Sequence, residues 1–251
     1  MVKLQQLYDL LNKTLVPERF NDYCPNGLQV EGRADVRKLI TGVTASQTFL
    51  DAAIAQGADA VLVHHGYFWK NEDPCLRGIK RHRIKTLLMA DVSLLAYHLP
   101  LDVHPQWGNN QQLAQRLGLQ EIRALYPSDS MIPGIWGTLP ALSGMALAEQ
   151  LRHLTGGWVQ HIAGGDNELR RIGLCTGAAQ SMLQQAIELG LDAFISGEIS
   201  EPTVHLAQES GVHYFAAGHH ATERYGVQAL GAWVAEQLGI EHCYVDCPVP
   251  V

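Results

Sequence analysis

The chain has 251 residues, enough for one large domain or two small ones, and 47% of them are hydrophobic, enough for a proper core. Charged residues make up only 17%, which hints at faces covered by further copies of the chain, and the formal net charge of −7 argues against a broad nucleic-acid surface. No stretch approaches the run of about 20 apolar residues that a membrane span needs, and five scattered cysteines fit a reducing, cytoplasmic setting.

In chain order, the first strong unit is a strand over Lys38–Val43 and a helix with Leu50, Ala53 and Ile54 on one face. Gly57 stops that helix, and a second strand, Asp59–Val63, runs into His64-His65-Gly66. The strand delivers two imidazoles to its C-terminal edge, where open α/β sheets bind ligands. The basic run from Lys80 to Lys85 reads as the solvated start of a helix over His82–Ala90, with a strand over Val92–Tyr97 behind it. His98-Leu-Pro-Leu-Asp102-Val-His104-Pro then reads as a loop stiffened by Pro100 and Pro105. A helix is expected over Asn109–Gly118, with Leu113 and Leu117 on one face, and residues 126–143, rich in Pro, Gly and Ser, read as a linker. A helix over Ser143–His153 ends at Gly156-Gly157, and Gly164-Gly165-Asp166 reads as a turn. Strands over Arg171–Cys175 and Asp192–Ser196 flank a helix bearing Leu183, Ala186 and Ile187. A helix over Thr203–Ser210, a strand over Val212–Ala217 and the pair His219-His220 follow. A helix from Ala221 onward buries Val227, Leu230, Val234 and Leu238. Cys243-x-x-x-Cys247 has neither the spacing nor the second pair of a zinc ribbon and is not read as a site.

The chain is a duplication. At a constant offset of 133, residues 39–60 and 172–193 share eight identities in 22 ungapped positions, among them Gly57 with Gly190 and Asp59 with Asp192. Each copy is a β-α-β unit, which implies parallel strands and a right-handed crossover. The expected fold is α/β, with two similar lobes, 1–125 and 126–251, each a mixed and mostly parallel sheet with flanking helices. The repeat cores are 38–65 and 171–198, and the offset maps His64-His65 onto Gly197-Glu198. Polar residues of both copies fall at strand ends, so a site is expected in the cleft where the copies face each other.

The available donors are His64, His65, His98, Asp102, His104, His219, His220 and Glu223. Imidazole and carboxylate without thiolate suit Zn, Mn, Fe, Co or Ni. His219 and Glu223 are four apart, so on a helix they share a face. Glu223 has two oxygens and can bridge two ions, which is the chemical reason to expect a dinuclear centre. His98 and His104 are expected as partners that orient the ligands. Neighbouring strand residues diverge, so one histidine per ion is expected. There is no HExxH, no G-x-x-x-x-G-K-[ST] loop, no G-x-S-x-G elbow and no G-x-G-x-x-G after a strand.

Several segments together carry a family resemblance: Tyr23-Cys-Pro-Asn-Gly-Leu-Gln-Val30, Gly42-Val-Thr-Ala45, Val63-His-His-Gly66, His98-Leu-Pro-Leu-Asp102 with Gly108-Asn-Asn110, and Gly218-His-His-Ala-Thr-Glu223. Over essentially its whole length the chain resembles the GTP cyclohydrolase 1 type 2 homologues, the YbgI-like dinuclear-metal proteins, in their short form. The resemblance implies a homohexameric toroid and two divalent transition-metal ions per chain, held by His64, His65, Asp102, His219 and Glu223, with Glu223 bridging. It also implies a metal-dependent hydrolase acting on a nucleotide-like or cyclic-amide small molecule. The alternative is a non-catalytic metal-binding scaffold, metal-delivery or regulatory interaction protein. Tyr67, Trp69, Trp107 and Asn109 are candidate pocket residues, and Glu198 is a candidate general base or ligand-orienting partner. No membrane or nucleic-acid partner is expected.

Overall fold

The computed structural model describes residues 1–250 and shows an α/β chain. It forms two compact units, Met1–Trp107 with Gly226–Cys247, and Gly108–Tyr225 with the chain end from Pro248. The first contains β1 (Val2–Lys3), α1 (Leu4–Leu15), β2 (Gly27–Val30), β3 (Asp35–Val36), β4 (Lys38–Thr44), α2 (Gln47–Ala55), β5 (Ala60–His65), α3 (Gly78–Ala90), β6 (Ser93–Ala96) and α4 (Leu99–Val103). The second contains α5 (Asn109–Leu117), β7 (Gln120–Ala124), β8 (Ile135–Leu142), α6 (Gly144–Thr155), β9 (Gln160–Ile162), β10 (Leu169–Leu174), α7 (Leu183–Glu188), β11 (Ala193–Ser196), α8 (Glu201–Ser210) and β12 (His213–Ala216). Helix α9 (His219–Leu238) starts in the second unit, and its residues from Gly226 belong to the first, as does β13 (Glu241–Tyr244).

In the first unit β13, β4, β5 and β6 are parallel neighbours, and β2 closes the edge antiparallel to β6. Side chains alternate across this sheet, and both faces are buried. Leu39, Leu62 and Leu95 pack with Leu7 and Leu11 of α1 and with Val227, Leu230 and Val234 of α9. Ile40, Val61, Val63 and Leu94 pack with Phe49 and Leu50 of α2 and with Ile84 and Leu87 of α3. The near-continuous apolar strands are what a parallel sheet covered on both sides requires. The second unit repeats the plan. There β10, β11 and β12 are parallel, with β9 antiparallel beside β12 and β8 antiparallel beside β10. Helices α5 and α6 supply Leu113, Leu147 and Leu151 to one face, and α7 and α8 supply Leu183, Ala186 and Ala207 to the other.

The duplication extends to hydrogen bonds. Leu39 pairs with Ala60 and Ile172 with Ala193, the same register at the same offset. Asp59 accepts the backbone N–H groups of Arg37 and Lys38 at 2.8 and 3.1 Å, and Asp192 accepts those of Arg170 and Arg171 at 2.8 and 2.7 Å. This carboxylate satisfies two donors where the first repeat strand starts, which explains its presence in both copies.

Several expectations need correction. The units do not follow the halves 1–125 and 126–251: α5 and β7 go with the second unit, and the segment from Gly226 returns to the first, where β13 pairs with β4. The expected linker contains β8, a long strand with partners on both sides. Its Pro140 lies where the register shifts between Leu169 and Arg171, a bulge that spares the missing N–H. The stiff loop after His98 is the short helix α4, and Pro100 sits in its first turn, where no backbone donor is needed. Helix α3 begins at Gly78, and α9 begins at His219 itself. No helix among the described residues is long and apolar enough to cross a membrane.

A histidine pair bridges β9 and β12, with His161 Nε2 2.9 Å from His213 Nδ1 and the His161 ring stacked on Phe215. Burial lowers the pKa of both below 6.5; the charges of His213 and Arg152 lower His161 further, while a hydrogen bond with the Gly165 backbone and the charges of Asp192 and Asp166 partly offset the effect at His213. The unfolded chain therefore binds protons that the folded chain rejects. The stability these groups confer is complete above about pH 6.5 and is lost as pH falls through their folded values. The urea midpoint should drop on that acid side, and the double variant His161→Gln/His213→Gln should show a flatter profile. An unchanged slope would assign the acid sensitivity to other groups.

Candidate metal centre

Strand β5 is apolar to Val63 and then ends in the two histidines. His64 is fully buried. Its Nδ1 lies 3.0 Å from the Tyr97 carbonyl, which fixes a proton on that nitrogen, and its Nε2 lies 3.5 Å from Asp102 Oδ1. His65 Nδ1 meets the Thr44 hydroxyl at 3.1 Å. The two rings do not diverge as a flat strand would have them do; their centres are 4.5 Å apart and their planes tilted by 43°. Asp102 reaches His64 from the buried side of α4.

Helix α4 is held from below. Asp22 accepts His98 Nδ1 at 2.7 Å and the Leu99 N–H at 2.9 Å, while Asn26 Oδ1 accepts the His98 N–H at 2.7 Å. The Asn26 amide in turn donates to Asp22 at 2.8 Å. Burial works against ionising Asp22, but the His98 hydrogen bond and charge, with Asn26 and the Tyr23 N–H, outweigh it and hold the carboxyl below its ordinary value. His64, His65 and His98 each bring a ring nitrogen within 4.8 Å of the others. Asp22, Cys24 and His98 form a second such group, although burial and the Asp22 charge push the Cys24 thiol up to about 12.

In the second unit His219 opens α9. Its Nδ1 lies 2.7 Å from Glu198 Oε1 and its Nε2 3.1 Å from Glu223 Oε2, one turn along the same helix. Burial lowers the His219 pKa, but Glu223 and Glu198 overcome this and raise it to about 9. Gly177 (φ +70°) lies against this pair: a Cβ there would fall 2.1 Å from Glu223 Oε1. His220 is buried beside it in sequence, also on α9.

His64, His65 and His219 thus share one pattern: Nδ1 is anchored by a protein oxygen, and for His64 and His219 Nε2 faces a carboxylate. Metal-ligating histidines are oriented in this way, and such donors can hold divalent transition ions. Glu198 orients His219. His98 stands beside His64 and His65, whereas His104, expected as a second orienting residue, turns its Nδ1 to the N–H groups of Gln106 and Trp107 in its own loop. Tyr67 is a core residue, with its hydroxyl on the Ala45 carbonyl, and Trp107 stacks on Trp233. Trp69 does stand by the donors, edge-on to His98 at 5.0 Å. Asn109 is fully buried in the second unit.

The chain is 54% identical to the GTP cyclohydrolase 1 type 2 homolog of Yersinia pestis over 98% of each chain. A solved structure of the protein ybgI, described as of unknown function, matches with a TM-score of 0.94 at 46% identity over the whole of both chains. TTHA1606 from Thermus thermophilus matches at 0.91 and 31% identity, again over the whole of both. The model of the Duf34/NIF3 (NGG1p interacting factor 3) family covers residues 2–248. The chain belongs to the Duf34/NIF3 family.

Two residues of this Duf34/NIF3 chain escaped the donor reading: Asp22 and Asn26. They lie more than 70 residues from the His98–Leu99 segment they grip. The signal was present, since Asn26 lies within the Tyr23–Val30 motif and Asp22 immediately precedes it, but a clamp made by tertiary contact has no local periodicity.

Proposed function

We propose that this Duf34/NIF3 chain is a dinuclear-metal-binding protein that works as a metal-dependent hydrolase on a nucleotide-like or cyclic-amide small molecule. The observation that carries the reading is the shared anchoring of the three imidazoles through Nδ1, which fixes the orientation of each ring and, at His64 and His219, the tautomer a ligand needs. In this reading His64, His65, Asp102, His219 and Glu223 are the ligands, with Glu223 bridging. Glu198 holds His219, Thr44 holds His65, and Trp69 walls the donors. Two such ions supply Lewis acidity toward a carbonyl or phosphoryl oxygen and lower the pKa of water. The names of the relatives point to ring-opening hydrolysis of GTP as the first substrate to try.

Metal analysis of protein purified without chelator should find close to two transition ions per chain; fewer than one overturns the dinuclear reading. A screen of nucleotides, phosphoesters and cyclic amides should find turnover that Asp102→Ala abolishes. Turnover indifferent to Asp102, or none, favours a non-catalytic metal-binding scaffold.

A further inference from the structure

We infer that Trp69 and Tyr23 form a stacking face beside the first unit's donors, so that the small molecule taken there carries a planar aromatic ring, as the base of a nucleotide does. The inference deepens the function proposed above and rests on it for the presence of a small-molecule site. It separates a nucleotide-like ligand from a saturated cyclic amide.

Three aromatic residues follow the histidine pair, and folding uses only two of them. Tyr67 is buried in the core, with its hydroxyl on the Ala45 carbonyl. Phe68 packs against the same core and holds the Lys80 ammonium over its ring at 4.9 Å. Trp69 belongs to none of the hydrophobic cores of the described residues. It is half-buried, and its ring neighbours are polar: His98, edge-on at 5.0 Å, and His65, tilted by 55° at 6.0 Å. Tyr23 is 60% exposed and also meets His98, inclined by 65° at 6.2 Å. Among the described residues no ring is stacked face to face on Trp69 or Tyr23. Large aromatic faces left open beside polar groups are what a flat π-ligand stacks on. A saturated ring or a simple phosphoester has no such face to offer.

The backbone holds these rings in place. Phe68 and Asn71, which flank Trp69 and Lys70, have φ of +65° and +70°. For a bulky aromatic residue that left-handed conformation is strained, and such strain gathers where ligands bind. Glu72 closes the turn in both directions: its carboxylate accepts the Trp69 N–H at 3.3 Å, and its own N–H donates to the Trp69 carbonyl at 3.0 Å. Lys80 pins that carboxylate at 2.9 Å. The Lys70 N–H donates to the Tyr23 carbonyl at 2.6 Å, which ties the segments bearing the two rings together. The aromatic face is thus set beside the donors before a ligand arrives, which lowers the cost of binding one.

The 5′-monophosphates of guanosine, uridine and 5,6-dihydrouridine, with ribose 5-phosphate as the baseline, test this on the full-length protein by ligand-observed NMR titration. All share the ribose phosphate, so capture of phosphate by a metal cancels and only the ring differs. Guanosine monophosphate should bind about tenfold more tightly than ribose 5-phosphate, with the uridine compound between them and the non-planar dihydrouridine compound at the baseline. Trp69→Leu should remove most of the guanosine preference, Trp69→Phe should keep it within about threefold, and Tyr23→Leu should reduce it by about threefold. A structural role for Trp69 would shift all the compounds alike. The inference is overturned if wild type shows no preference for planar rings, if it binds none of the compounds, or if Trp69→Leu keeps the full preference. Should Trp69→Leu lose thermal stability, Tyr23→Leu, which alters an exposed ring, decides in its place. Metal analysis of the same samples keeps the two readings apart: fewer than one ion per chain overturns the dinuclear centre, while the ring preference still decides the stacking face.

Discussion

Gly177→Ala should disrupt the second unit's donors far more than its size suggests. The residue has φ +70°, a conformation that costs an alanine roughly 1–2 kcal/mol. Its added Cβ would also lie 2.1 Å from Glu223 Oε1, 3.0 Å from that carboxyl carbon and 3.2 Å from His219 Nε2. Glu223 is 3% exposed, so its carboxylate has little room to withdraw. The turn cannot yield easily either, because the Gly177 carbonyl accepts the Gly197 N–H at 2.8 Å and the Ser196 hydroxyl at 2.9 Å. We expect a loss of about 2–3 kcal/mol in urea unfolding and a metal content reduced by at least one ion per chain. Gly57→Ala is the control. Gly57 has φ +77° but nothing within 4 Å of its would-be Cβ, so only the same backbone cost of roughly 1–2 kcal/mol applies. Equal losses for the two variants, with metal content unchanged, would refute the role of Gly177 in making room for Glu223.

Asp59→Ala should cost about 2–4 kcal/mol of stability. Its carboxylate, only 13% exposed, accepts the Arg37 and Lys38 N–H groups and the Arg33 guanidinium at 2.8 Å. Truncation leaves two backbone donors at the start of β4 without an acceptor and removes a partly buried ion pair. Asp192→Ala removes the same two-donor clamp from the second copy, without the arginine. It should cost less, and asparagine at either position should recover part of the loss. Denaturant midpoints of the four variants measure this. A change under about 0.5 kcal/mol for Asp59→Ala would show that water replaces the carboxylate and that the shared aspartate does not hold the repeat.

The β-α-β repeats were legible because their signals are local: apolar runs of strand length, a helical stripe, a glycine stop. The edges were not. β13 has four residues and pairs with β4, which lies near the other end of the chain, while β8 was obscured by its Pro140. Short strands draw their stability from partners distant in sequence, so no window of residues reveals them. The donors were legible as residue types at strand and helix ends; the clamp of Asp22 and Asn26 on His98 was not.

The repeat shows where sequence ends and structure takes over. Thr44 and Gly177 are equivalent at the offset of 133, as are His65 and Glu198. The alignment alone established the common frame and the register of its strands. Only the tertiary structure shows that these positions do opposite jobs. In the first copy Thr44 bears a hydroxyl that holds His65, whereas in the second Gly177 has no side chain and leaves space for Glu223, with Glu198 holding His219 instead. Frame and register follow from periodicity and hydrophobic pattern, which any stretch of chain carries within itself. The use of a position depends on which side chain from a remote element meets it, and that is decided only when the chain has packed.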